Sequence, residues 1–174
     1  MEMDQERDKT EIKMTITLYL MCGVPGGGKS TIARSMVEDL KTEGRTAIIS
    51  RDEIRFGMLK EGDDYFKYEN EVFDKFINQI NDAIDSKSIP NIFIDATHLN
   101  EKARNKVLDR LHLNDDVWII PVDVRPPLER CIKQNDRRSG LAHVPESVIR
   151  KMHASYQPPT YYEKYFYHMI IVKV

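Results

Sequence analysis

The chemistry of this chain is best indicated by a glycine-rich stretch, GVPGGGKS at positions 23–30. It fits the Walker A pattern GxxxxGK[ST], and it directly follows an apolar run and opens a helical pattern, as this motif requires. Glycines let backbone N–H groups turn inward around phosphate oxygens, and a helix N-terminus adds partial positive charge. The stretch therefore predicts a site for nucleotide phosphates, and its context disfavours a purely structural glycine turn.

Two side chains of this loop have separate expected roles. Lys29 should reach the β- and γ-phosphates of ATP, and the Ser30 hydroxyl should ligate Mg²⁺. We expect Lys29 to face solvent when no phosphate is bound. The residues predicted to bind ATP here are Gly23, Gly26, Gly27, Gly28, Lys29, Ser30 and Thr31.

A second candidate for the Mg²⁺ site is Asp95, which ends an apolar run. The carboxyl ends of strands are where ligands bind in open α/β sheets, so Asp95 could hold Mg²⁺ through water; the alternative is a helix cap or a turn residue. The next residue is Ala96, where an ATPase that activates water usually has a glutamate, and the chain has no guanine-reading NKxD sequence. Transfer to another hydroxyl is therefore favoured over hydrolysis.

A possible acceptor side follows the second apolar run, with SRDEIR at positions 50–55. Aspartate is ionised near neutral pH, with a reference pKa of about 3.9, so Asp52 could take the proton of an attacking hydroxyl. Arg55 lies one helical turn later and could hold an acceptor phosphate beside that carboxylate. Taken alone, this pattern fits a helix cap at Asp52 equally well.

These residues must be positioned by alternating strands and helices. Apolar, β-branched runs occur at 16–22, 46–50, 91–96, 117–124 and 169–174, and helical patterns occur at 30–43, 65–86, 100–113, 128–135 and 145–156. Such alternation predicts an α/β fold with a parallel sheet covered on both faces. We expect one domain over 15–174, after a disordered, charged leader at 1–14.

Composition limits the remaining functional classes. The chain has 174 residues, a net charge of −2 and two cysteines far apart, which do not support a metal site or a disulfide framework. No apolar run is long enough for a membrane span or a secretory signal, so a cytoplasmic protein without membrane partners is expected. Residues 125–151 hold seven Lys or Arg against three Asp or Glu, a local basic excess able to meet phosphates. A homo-oligomer is compatible with the sequence.

The chain resembles the phage-type polynucleotide 5′-kinase family, within a larger group that includes zeta toxins. The resemblance runs from about residue 18 to the C-terminus and is carried by four stretches in the same order: 23–31, 50–55, 95–100 (DATHLN) and 128–145. It implies a P-loop kinase fold with a five-stranded parallel sheet in the order 2-3-1-4-5, flanked by helices, and a small lid around residues 134–145.

The resemblance also implies roles for individual residues. Asp52 matches the general base, Arg55 matches the arginine that contacts the acceptor phosphate, and Thr97 matches a threonine at the acceptor pocket. Arg138 matches an arginine of the lid over the ATP phosphates, and Arg137 is a neighbouring ATP-binding candidate.

The chain departs from the family pattern at two positions. Gln134 stands where the family often has its first lid arginine, so Arg137 or Lys133 could compensate. His98 replaces the asparagine that usually follows the threonine, and we assign it no chemistry.

Three functions remain open from the sequence. The first is an ATP-dependent kinase of the 5′-hydroxyl end of a nucleic acid, DNA or RNA, with Mg²⁺. The second is a kinase of a small molecule such as a nucleoside, sugar or antibiotic. The third is a nucleotide-dependent binding or switch protein, which Ala96 and the Asp52–Arg55 pair disfavour.

Overall fold

One parallel sheet organises the chain in the computed structural model, which describes residues 14–40, 45–166 and 168–172. Its strand order is β2-β3-β1-β4-β5, so the predicted fold class and strand order are confirmed. The strands are β1 (Ile16–Cys22), β2 (Thr46–Ser50), β3 (Asn91–Asp95), β4 (Val117–Val124) and β5 (Ile170–Val172).

The helices lie close to the predicted patterns but differ at their ends. They are α1 (Lys29–Asp39), α2 (Arg51–Met58), α3 (Glu69–Asp85), α4 (Glu101–Leu108), α5 (Leu128–Asn135) and α6 (Glu146–Ser155). Helix α3 begins at Glu69 rather than at residue 65, because the Asp64 side chain accepts a hydrogen bond from Phe66 N at 2.9 Å and stabilises a turn instead. Helix α4 ends at Leu108 rather than at residue 113, where backbone turns replace the helical hydrogen bonds.

The core lies on both faces of the sheet, because the side chains of a strand point alternately to its two faces. Leu18 and Leu20 of β1 pack in the apolar cluster that includes Phe76 and Ile80 of α3. Met21 of β1 joins the cluster on the other face with helix α1. The central strands are therefore largely apolar, as expected for strands covered on both sides.

The strand ends bring the candidate residues to one edge of the sheet. In the register of the sheet, Met21 and Ser50 both pair with Asp95. The glycine-rich loop after β1, helix α2 after β2 and the end of β3 therefore meet at the same carboxyl edge. This is the edge where parallel α/β sheets bind ligands.

The predicted leader lies almost wholly outside the residues that the structure describes. Of the predicted leader at 1–14, only Met14 belongs to the part that the structure describes. None of the helices in the described ranges has the length and apolarity needed to cross a bilayer.

Candidate active site

Three glycines of the loop, Gly23, Gly26 and Gly28, have positive φ, and at two of them an added Cβ would also collide with backbone. Gly26 has φ of 73°, and a Cβ there would lie 2.2 Å from the Cys131 carbonyl oxygen of α5. Gly23 has φ of 144°, and a Cβ there would lie 2.5 Å from the Val124 carbonyl oxygen at the end of β4. The glycines thus let the loop pack tightly on its supports in a turn that can direct backbone N–H groups at phosphate oxygens. Two N–H groups serve the loop itself, because Gly23 N donates to the Thr97 carbonyl oxygen and Gly27 N to that of Val24.

Lys29 opens helix α1 and is buried, with 8% of its surface exposed. The expectation that it faces solvent is wrong, because its Nζ folds back over the loop and donates to the Val24 carbonyl oxygen at 3.0 Å. Burial lowers the pKa of Lys29, the carboxylates of Asp95 and Asp52 oppose that change, and Arg138 adds to it. The ammonium group therefore interacts electrostatically with the carboxylates of Asp95 and Asp52 and with the guanidinium of Arg138.

Ser30 and Asp95 are brought together. Ser30 Oγ donates to Asp95 Oδ2 at 2.6 Å, and Asp95 is buried at the last position of β3. A hydroxyl and a carboxylate beside a phosphate loop fit Mg²⁺, which prefers oxygen ligands and keeps several of its waters. Within the described residues, no group of three or more His, Cys, Asp or Glu side chains could hold a metal ion.

Asp52 lies in the first turn of α2, with 58% of its side chain exposed. It does not cap this helix, because the cap is Ser50, whose Oγ accepts a hydrogen bond from Glu53 N at 3.3 Å. The Asp52 carboxylate instead accepts hydrogen bonds at Oδ1 from Arg55 Nη1 at 2.7 Å and from the Tyr65 hydroxyl at 3.3 Å. Because more than half of this side chain is exposed, an incoming group can reach the carboxylate.

Arg55 is 5% exposed, and protein groups bind both of its terminal nitrogens, while its buried Nε has no hydrogen-bond partner among the described residues. Besides Asp52, its Nη1 contacts the Tyr65 hydroxyl at 3.1 Å and its Nη2 donates to Glu69 Oε2 at 2.6 Å. Burial lowers the pKa of Arg55, but the Glu69 hydrogen bond and the nearby negative groups raise it above its ordinary value. The second oxygen of Glu69 pairs with Arg51. Arg55 therefore orients Asp52, and its charge is already balanced.

Glu69 and Tyr65 were not predicted from the sequence. A buried guanidinium requires a carboxylate partner, but the burial of Arg55 is known only from the structure. The chain has 28 Asp and Glu residues, and nothing in the local pattern distinguishes Glu69 from the rest.

Thr97 and His98 join β3 to the phosphate loop. The Thr97 carbonyl oxygen accepts a hydrogen bond from Gly23 N at 3.0 Å. His98 is buried in a left-handed conformation with φ of 45°, and its Nδ1 contacts the Met21 carbonyl oxygen at 2.6 Å. Burial lowers the pKa of His98 to about 4, so its ring is neutral at physiological pH. The carbonyl of His98 is also held by Arg104, which forms a buried, two-point ion pair with Glu163.

The predicted lid is an exposed loop with a fixed base. The Asn135 side chain exchanges two hydrogen bonds with the backbone of Val144, at 2.8 and 3.0 Å, and so closes the loop between them. Arg137 and Arg138 lie exposed in this loop, before Gly140 with φ of 58°. The positive charge of Arg138 contributes to the lowering of the pKa of Lys29.

Gln134, at the position of the missing lid arginine, packs against the phosphate loop. With its amide oriented so that both atoms are paired, it donates to the Gly26 carbonyl oxygen at 2.5 Å and accepts from Arg130 Nε at 3.3 Å. The guanidinium in contact with this position is therefore that of Arg130, which was not predicted from the sequence.

A cavity of about 560 Å³ opens beside the phosphate loop. This volume lies within the range of small-molecule pockets. Its lining residues are Val24, Val124, Arg125, Pro126, Pro127, His153, Tyr156, Ile171 and Val172.

Comparisons with known proteins identify the fold. The profile of the AAA_33 family, described as an AAA domain, matches residues 18–159. No curated protein sequence matches the chain. A chain of the Pnkp1/Rnl/Hen1 RNA repair complex is 22% identical with a TM-score of 0.66, and the match covers 84% of this chain and 46% of that one. The present chain thus spans less than half the length of that relative.

Two further structures match most of both chains. Kti12 from Chaetomium thermophilum in complex with ADP-AlF3 is 16% identical with a TM-score of 0.65, and the match covers 89% of this chain and 88% of that one. A gluconokinase from Sinorhizobium meliloti is 13% identical with a TM-score of 0.52, covering 92% and 83%. At these identities the likeness establishes a P-loop kinase fold and leaves the acceptor open.

Proposed function

Because the chain belongs to the AAA_33 family and has a P-loop kinase fold, we propose that it transfers the γ-phosphate of ATP to the 5′-hydroxyl of a polynucleotide, DNA or RNA. The observation that supports phosphoryl transfer most directly is the meeting of the candidate groups at one edge of the sheet. Ser30 Oγ donates to Asp95 Oδ2 at 2.6 Å beside the phosphate loop, and Ser50, two residues before Asp52, pairs with Asp95 in the sheet. The directions of the charge effects on the pKa of Lys29 agree with this placement.

The proposed reaction assigns one task to each of these groups. Asp52 accepts the proton of the acceptor hydroxyl as its oxygen bonds to the γ-phosphorus and the bond from that phosphorus to the β–γ bridging oxygen breaks. Lys29 and Arg138 neutralise the charge that spreads over the phosphate oxygens. Mg²⁺, held by Ser30 and Asp95, supplies further positive charge there when bound.

The geometry around Asp52 supports a base that acts on an organic hydroxyl. Arg55 and Tyr65 both bind Oδ1, which fixes the carboxylate and leaves Oδ2 to receive the proton. The residue after Asp95 is Ala96, which offers no carboxylate to activate water at the γ-phosphate.

The polynucleotide assignment is supported by the family resemblance and by the similarity to the RNA repair chain. A kinase of a small, phosphate-free acceptor is a second candidate, and a specific observation favours it. Arg55 is buried and both of its terminal nitrogens are bound to groups of the protein, so an acceptor phosphate would compete there with the carboxylates of Asp52 and Glu69.

The test is transfer of label from γ-labelled ATP to a panel of acceptors in the presence of Mg²⁺. The panel contains 5′-hydroxyl DNA and RNA oligonucleotides, a nucleoside 3′-phosphate, a plain nucleoside and gluconate. Label on the 5′ ends of oligonucleotides would support the proposal, and label on small acceptors alone would replace it with the second candidate. ATP binding without label on any acceptor would favour a nucleotide-dependent switch protein.

A further inference from the structure

Phe66 exposes 63% of its surface next to the candidate base and belongs to none of the apolar clusters in the described residues. Its ring stands edge-on to that of Tyr65, with centroids 4.9 Å apart and an angle of 80° between the planes. The Tyr65 hydroxyl in turn contacts Asp52 Oδ1 at 3.3 Å. The exposed ring therefore lies one aromatic side chain away from the carboxylate that we assign as the base.

The ring is exposed although its backbone is well ordered by local hydrogen bonds. Phe66 N donates to Asp64 Oδ1 at 2.9 Å, and the Phe66 carbonyl oxygen accepts from Glu69 N at 3.1 Å. Tyr65 is fixed as well, because the guanidinium of Arg55 lies 4.6 Å from its ring centroid. Leaving a phenylalanine side chain in water forgoes a favourable burial, so this arrangement is suited to a ligand that covers the ring.

The charges around the ring indicate which part of an acceptor would cover it. Asp64 is bound at the backbone N of Phe66, and the adjacent Lys67 is paired with Asp63 at 2.7 Å. Lys60 and Glu61, of opposite charge, lie earlier on the same loop. A phosphate over the ring would compete with Asp63 for Lys67, whereas an uncharged planar group needs no counter-ion. An aromatic face binds such a group by stacking.

We propose that Phe66 is the stacking platform for the nucleobase of the acceptor's 5′-terminal nucleotide, and that Tyr65 holds this platform beside Asp52. The inference rests on the proposed polynucleotide acceptor. Because every base offers a π-face, the platform should accept all bases while contributing affinity for the terminal nucleotide. Phe66 acts on binding and does not touch the transferred phosphate.

The experiment uses two oligonucleotides that share a 5′-hydroxyl and a sequence but differ in whether the terminal sugar carries a base. Kinetic constants are measured for the wild type, Phe66→Ala and Phe66→Trp. The matched control is Trp118→Ala, because Trp118 is another exposed aromatic residue but lies near the start of β4, at the opposite edge of the sheet. ATP affinity and thermal unfolding verify that each variant is folded.

Phe66→Ala should raise KM for the normal oligonucleotide by about 5- to 150-fold, the range for loss of one base–aromatic stack, with little change in kcat. It should leave KM for the abasic oligonucleotide unchanged, Phe66→Trp should retain the wild-type KM, and Trp118→Ala should have no effect. Equal effects of Phe66→Ala on both oligonucleotides, or none, would overturn the platform while the proposed function stands. If the wild type labels neither oligonucleotide but labels a small acceptor, the proposed function and the platform both fail.

Discussion

Replacing Asp52 with Asn separates a general base from a structural carboxylate. Asn retains the Oδ1 acceptor that Arg55 reaches at 2.7 Å and Tyr65 at 3.3 Å, but its Nδ2 carries hydrogens and cannot take a proton. Loss of general-base help should lower kcat by about 10²–10⁴. The free energy of unfolding should fall by less than about 1 kcal/mol, because the side chain is half-exposed and Glu69 still neutralises Arg55.

The assay is single-turnover transfer at saturating ATP and acceptor, with ATP affinity and urea unfolding measured on the same samples. The control is Ser50→Ala, which removes the actual cap of α2 and should cost about 1 kcal/mol of stability with most of the activity retained. A wild-type kcat in Asp52→Asn would refute the base assignment. The base assignment would also be refuted if the activity of Asp52→Asn and of Ser50→Ala fell in proportion to the stability that each variant loses.

Three further changes test the rest of the site. Lys29→Ala should abolish transfer and the thermal stabilisation of the protein by ATP, because it removes the cation expected to contact the ATP phosphates. The fold should persist, since the variant removes a buried charge and not an apolar side chain of the core. A variant that still transfers phosphate would contradict the phosphate role. Arg138→Ala should lower kcat by about 10²–10³ with ATP affinity nearly unchanged, and a normal rate alongside a slow Arg137→Ala would move the lid role to Arg137. Burial lowers the pKa of His98 from 6.5 to about 4, so between pH 6.5 and pH 4 the unfolded protein binds a proton that the folded protein does not. The wild type should therefore lose up to about 1.4 kcal/mol of stability for each pH unit as the pH falls through this range. His98→Asn, which tolerates the left-handed backbone, should reduce that loss in urea unfolding at pH 7 and 5, and equal losses would contradict the burial argument.

The sheet could be predicted because its signal is local and continuous. The runs at 16–22, 46–50 and 117–124 match β1, β2 and β4 at both ends, since strands of a covered parallel sheet are largely apolar and these three are followed by glycine or arginine. The start of α3 was predicted too early because its apolar stripe extends into residues where Asp64 stabilises a turn. The strand order came from the family resemblance, since periodicity alone does not determine which strands are neighbours.

The roles of individual site residues were harder to predict where they depend on contacts between distant parts of the chain. The position of Lys29 at the end of the phosphate loop follows from the sequence, but its burial depends on the contact of its Nζ with the Val24 carbonyl oxygen. Arg55 was identified from its spacing to Asp52, yet its state depends on Glu69, which lies beyond a turn and on another helix. Such pairings follow from the tertiary structure, and the residue types alone leave many equivalent choices.

The electrostatics of the acceptor side bear on the choice between the two candidate functions. Arg51 and Arg55 are balanced by Asp52 and Glu69, so a neutral hydroxyl can approach Asp52 without displacing any charge. The phosphates of a polynucleotide gain little from this balanced group, and their attraction must come from elsewhere. The basic excess over residues 125–151, which includes the exposed lid arginines, is the part of the sequence suited to that task. The polynucleotide and small-molecule candidates therefore share the phosphate loop and Asp52, and they differ in whether this basic segment contributes to acceptor binding.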